Sequence, residues 1–96
     1  MKKLAKMPYA QAHIEDTAYG TALISYTTKV AEIKNDAVYV YGLYSMTTRK
    51  HISAYLAEYG LPYTIAKECV KLNAHYCISH QCFCHNETGE ILKELQ

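Results

Sequence analysis

The sequence predicts an α+β domain: a small antiparallel sheet with two helices on one face, in the order β-β-α-α-β with a further strand left open at the end. Three observations predict it. Residues 21–44 alternate apolar and polar side chains around a polar Lys34-Asn35-Asp36 turn. Ile52, Tyr55, Leu56 and Tyr59 then recur at the i, i+3, i+4, i+7 spacing of an amphipathic helix. A second helical stretch and an extended, cysteine-bearing segment complete the chain. A chain of 96 residues is long enough to bury about 65% of its unfolded surface, which supports one core and not two.

Residues 1–20 show no clear periodicity and read as an N-terminal arm, packed on the domain through Tyr9, Ile14 or Tyr19. Residues 21–96 are the single domain. From Thr21 to Ile33, Ile24, Tyr26, Thr28 and Val30 share one face, so the stretch reads as one strand. Its phase breaks near Ala31, where a β-bulge reconciles Ile33 with Val30. Residues 37–44 form the second strand and a hairpin with the first. The drier pair, Val38 and Val40, should lie under the helix stripe, which turns Tyr39 and Tyr41 outward together, while a second layer over the sheet would instead favour the Tyr face inward.

Thr47 or Thr48 caps the first helix, and Gly60 with Pro62 ends it. Residues 63–73 make a shorter helix with Ile65, Ala66, Cys69 and Val70 inward, closed by Asn73. Residues 75–85 read as extended, and residues 86–89 as a turn. Ile91, Leu92 and Leu95 have helical spacing, yet a strand paired to 75–85 fits residues 90–95 as well.

Ten Lys and Arg against nine Asp and Glu give a net charge of +1, which disfavours both a strongly basic nucleic-acid binder and an acidic DNA mimic. The charge is uneven: residues 1–50 carry seven basic and four acidic side chains, residues 51–96 three and five. No apolar run approaches the roughly 20 residues of a membrane span. The basic N-terminus is not followed by the apolar segment of a secretory signal, so the chain is expected in a reducing cytoplasm with its four cysteines as thiols or metal ligands. Ten of eleven aromatics are Tyr. Each keeps a hydroxyl that needs a partner, which suits half-exposed positions at a macromolecular contact.

Ser25-Tyr26-Thr27-Thr28-Lys29-Val30-Ala31, followed by Tyr44-Ser45-Met46-Thr47-Thr48-Arg49-Lys50-His51-Ile52, resembles a family of small domains of unknown function encoded by phages, prophages and plasmids. The family pattern is S-Y-x-T-x-V-A, a hairpin, then Y-S-x-T-T-x-x-H-I, and it covers about residues 23–59. The resemblance implies a phage-type accessory protein in the host cytoplasm that binds and inhibits a host protein, most sharply a CRISPR effector as an anti-CRISPR or other anti-defence inhibitor. Tyr39, Tyr41, Tyr44, Arg49 and Lys50 are the candidate partner-binding residues. His51 reads as a capping or packing histidine. Homo-oligomerisation is left open.

The segment from His75 to His85 places six soft or borderline donors in eleven residues. Cys77, His80, Cys82 and Cys84 are the candidate zinc ligands, set against the reading of these cysteines as small buried hydrophobes with surface histidines beside them. No cofactor other than zinc is suggested. No nucleotide fingerprint, phosphate loop or catalytic constellation is recognised, so an enzyme is not expected. The alternative is a small nucleic-acid-binding domain, zinc-stabilised or not. In it Tyr39, Tyr41 and Tyr44 stack bases while Lys29, Arg49 and Lys50 meet phosphates.

Overall fold

Strands pair in the order in which the chain makes them. The computed structural model describes residues 2–5, 7, 10–43 and 45–94. Its elements are β1 (Lys2–Lys3), β2 (Ala12–Thr17), β3 (Gly20–Ser25), β4 (Thr28–Lys34), β5 (Ala37–Val40), α1 (Met46–Glu58), α2 (Thr64–Leu72), β6 (Ala74–Cys77), β7 (Cys82–His85) and β8 (Ile91–Glu94). Every ladder is antiparallel, and β1 to β8 form one sheet in sequential order. β1 is no more than a two-residue pairing on the edge of seven fuller strands.

The expected small sheet in the order β-β-α-α-β is therefore corrected. Five strands, not two, precede the helices, and strand outweighs helix. Two local features account for the difference. Residues 21–33 look like one strand because nothing in Tyr26-Thr27 signals a turn, yet Tyr26 adopts φ 58° and the chain reverses there. β2 is the other. Only Ala12 and Ile14 of its six residues face the core, so its alternation is too short to register in the sequence. The expected phase break is real. Leu23 pairs with Ala31 and Ile24 with Lys29, which leaves Val30 as the extra residue of a bulge.

Alternation along the strands gives the sheet two unlike faces. Ile14, Leu23, Ala31, Ile33, Val38, Val40, Tyr76 and Phe83 lie on the face that both helices cover, in one core with Ile52, Tyr55, Leu56, Ile65 and Ala66. The valines of β5 thus pack under the helix stripe, as their dryness predicts. Each such side chain contributes roughly 1.5–3 kcal/mol by leaving water.

α1 is capped by Ser45 rather than by Thr47 or Thr48. The Ser45 Oγ accepts from the Thr48 backbone N–H at 3.2 Å, worth about 1 kcal/mol. At its other end the Tyr59 and Gly60 amides close the last turn, with Gly60 at φ 72°. α2 ends on Asn73 in the left-handed conformation. Among the described residues no helix is long and apolar enough to cross a membrane.

Candidate functional site

Three polar residues of the motif converge inside the molecule. Ser25 Oγ at the end of β3 lies 2.9 Å from His51 Nδ1 and 3.4 Å from Thr48 Oγ1 on α1. Ser25, Thr48 and His51 are 3%, 5% and 1% exposed. Burial alone lowers the His51 pKa, since a charged imidazole would be poorly solvated there. A serine beside a histidine is the chemistry of a nucleophile and its base. Sealed in the core, this pair ties β3 to α1.

The face that no helix covers carries a continuous polar band. Glu32 is only 4% exposed, and its carboxylate accepts the Tyr41 hydroxyl and pairs with Lys29 and Lys34, each at 3.4 Å. Burial works to raise the Glu32 pKa, but Tyr41 and the two lysines outweigh it and the net shift is downward. Lys34 stands 4.9 Å over the Tyr39 ring, and Tyr39 stacks on His75 at 4.9 Å between centroids.

Next to this band lies the Cys/His group. His75 and Cys77 are two apart on β6, and Cys82 and Cys84 two apart on β7, so alternation aims all four at the helix-free face. The registers His75 with Cys84 and Cys77 with Cys82 set them side by side. Cys77 Sγ is 3.6 Å from Cys84 Sγ, and Cys82 Sγ is 3.9 Å from it. A His75 ring nitrogen and the Cys77 and Cys84 sulfurs lie within 4.8 Å of one another. Burial pushes the Cys82 and Cys84 thiols above their ordinary range.

His80 does not join them. It sits exposed in the turn between β6 and β7, with Ser79 Oγ 3.5 Å from its Nδ1 and the Asp36 carboxylate close enough to act on it electrostatically. His75 takes its place, a residue that strict period-two counting from Cys77 would have selected. Cys69, the outlying thiol, is sealed in the core and pushed up to about 12 by burial. His85 accepts the Glu87 and Thr88 amides and so belongs to the turn before β8.

The helix side carries the second candidate surface. A groove of about 770 Å³ runs between α1 and α2. Leu43, Met46, Tyr63 and Val70 give it apolar walls, and Arg49, Lys50, Lys67 and Lys71 rim it. Met46 is 69% and Val70 40% exposed. The one carboxylate in its lining, Glu68, is paired with Lys93 at 3.3 Å. Four cations therefore surround an apolar trough in a chain of net charge +1.

The predicted partner-binding residues are thus divided between two faces. Tyr39 and Tyr41 lie on the helix-free face, and Arg49 and Lys50 in the groove. Tyr39 is half-buried and Tyr41 45% exposed. Tyr44 lies outside the described residues. Lys67 and Lys71 were missed. Their i, i+4 spacing places them on one face of α2, and Asn73 and Pro62 bounded that helix well enough to show it.

Residues 2–69 match the model of a family described as a family of unknown function, DUF8033. The match extends beyond the motif-bearing stretch on both sides and stops before β6, so the Cys/His group lies outside it. No curated protein and no solved structure matches the chain at a significant level.

Proposed function

We propose that this chain, which belongs to the DUF8033 family, is a non-enzymatic binding protein that docks on an acidic, partly apolar surface of another protein. The observation that carries the reading is the groove between α1 and α2. Exposed apolar walls supply burial on contact, and Arg49, Lys50, Lys67 and Lys71 select a partner of opposite charge. The burial of Ser25 and His51 favours binding over catalysis, because the pair with nucleophile-and-base chemistry is sealed in the core. A phage-type origin and inhibition of a host defence protein, with a CRISPR effector as the sharpest case, are the finer form of the same proposal. They rest on the motif resemblance and the small size.

The four cations also favour a second reading, binding to nucleic acid. Its strand-face form is the weaker one. Tyr39 is already engaged by His75 and Lys34, and Lys29 stands 5.6 Å over the Tyr41 ring, so bases would have to displace existing contacts.

Capture from bacterial lysate, with and without nuclease, tests both readings. The expected result is one protein retained in both conditions by the wild type and lost by Lys67→Glu with Lys71→Glu. Capture that nuclease abolishes, or that the double reversal leaves intact, overturns the protein-docking groove.

A further inference from the structure

We propose that His75, Cys77, Cys82 and Cys84 form a structural zinc site on the helix-free face of the sheet, with Asn86 as the residue that positions His75. Zinc takes four nitrogen and sulfur donors in a tetrahedron, and a Zn–S bond of about 2.3 Å fixes the sulfur–sulfur edge near 3.8 Å. The two sulfur pairs here measure 3.6 and 3.9 Å. A ring nitrogen of His75 and the Cys77 and Cys84 sulfurs lie within 4.8 Å of one another, and Cys82 joins them through its contact with Cys84, an arrangement that one metal ion would draw together. Three thiolates and one imidazole make a closed donor set, which belongs to a structural rather than a catalytic zinc.

The surroundings of His75 point the same way. Its Nδ1 lies 3.0 Å from Asn86 Oδ1, and the Asn86 amide nitrogen donates to Asn73 Oδ1 at 3.2 Å. With the Asn86 amide oriented in this way, its oxygen accepts from His75 Nδ1–H. Nε2 is then left with its lone pair, the arrangement by which a ligating histidine is oriented through its other nitrogen. Tyr39 stacks at 22° to the imidazole and holds the ring plane. The turn between β6 and β7 is pinned separately, with the Ile78 and Ser79 amides donating to the Asp36 backbone and carboxylate at 2.9 and 3.0 Å. Both strands are therefore held in register around the donors. On binding, each thiol releases its proton to solvent and its sulfur pair bonds to Zn²⁺, with no change in oxidation state.

The test uses the reduced full-length chain, stripped with a chelator and titrated with Zn²⁺, with Co²⁺ as the spectroscopic probe. Uptake of about one equivalent is expected, with a higher melting temperature. Co²⁺ should give a thiolate charge-transfer band and the intense visible bands of a tetrahedral site. Cys84→Ser and His75→Ala should abolish the cobalt spectrum, and Cys82→Ser should weaken it strongly. His80→Ala should leave it unchanged. Asn86→Ala, an exposed change, should weaken zinc roughly 10–100-fold without altering the stoichiometry. The wild-type spectrum and the His80→Ala and Asn86→Ala variants decide the matter even where a cysteine variant fails to fold. No charge-transfer band, zinc affinity unchanged in Asn86→Ala, or a Cys77–Cys84 disulfide in protein purified under reducing conditions overturns the site.

Discussion

Ser25 Oγ and His51 Nδ1 lie 2.9 Å apart in the core, and this contact joins two sequence motifs separated by a whole hairpin. Ser25 closes β3, and His51 comes from α1. Ser25, Thr48 and His51 are therefore a buried joint between sheet and helix, while Arg49 and Lys50 of the same motif face the groove.

The joint predicts a stability cost. Ser25→Ala leaves a ring nitrogen of His51 without its partner in a site of about 1% exposure. The loss should be about 1–3 kcal/mol. For a domain of this size that lowers the melting temperature by roughly 4–8 °C for each kcal/mol. A calorimetric scan that moves by less than a degree would show that the contact contributes nothing.

His51 also predicts a pH dependence. Its folded pKa is depressed below 6.5 by burial, so between the two values the unfolded chain binds a proton that the folded chain refuses. Stability should sit on its plateau above about pH 6.5 and fall as the pH drops below it, levelling once the folded pKa is passed. His51→Gln should flatten that limb in urea melts between pH 5 and 7, and an unchanged slope would assign the limb to other histidines.

Glu32 governs a lower window. Its folded pKa is lowered, so its contribution is present above 4.5 and is lost as the pH falls through the folded value. Tyr41→Phe removes the hydroxyl that the carboxylate accepts and should cost about 1–3 kcal/mol near neutral pH. The variant should also lose less than the wild type on acidification. Equal acid limbs in the two proteins would count against this account.

Gly20 begins β3 in a place where a side chain does not fit. A Cβ added there would overlap the Ile33 carbonyl, which belongs to the paired backbone of β4 and cannot swing away. Gly20→Ala should destabilise by about 1–3 kcal/mol through forced separation of the two strands. Chemical denaturation measures it, and a wild-type midpoint would mean that the ladder yields freely.

The sequence was most legible where local chemistry and tertiary packing agreed. Asn35 and Asp36 both take positive φ, as a tight hairpin demands, and the hairpin of β4 and β5 was read correctly. The helix stripe of Ile52, Tyr55 and Leu56 is buried as its spacing requires. Legibility failed at Tyr26, which takes φ 58° although a tyrosine carries no turn signal. The backbone reverses there because β2 and β4 both need β3 as a neighbour, which is a demand of the sheet and not of the residue. At the candidate metal site, donor type was visible but position was not. His80 and His75 are alike as donors, and period-two counting from Cys77 selects His75 once the strand is known to end at Cys77.

A sheet whose spatial order repeats its chain order has a consequence for how the molecule comes into being. Among the described strands all seven neighbouring pairs are consecutive along the chain, six of them joined without an intervening helix, and the step from β5 to β6 spans the two helices. Each new strand finds its template already made, so little chain entropy is lost in closing a loop except at the step from β5 to β6. Assembly can then advance from the N-terminus as residues emerge from the ribosome, on the fast side for a protein so rich in strand.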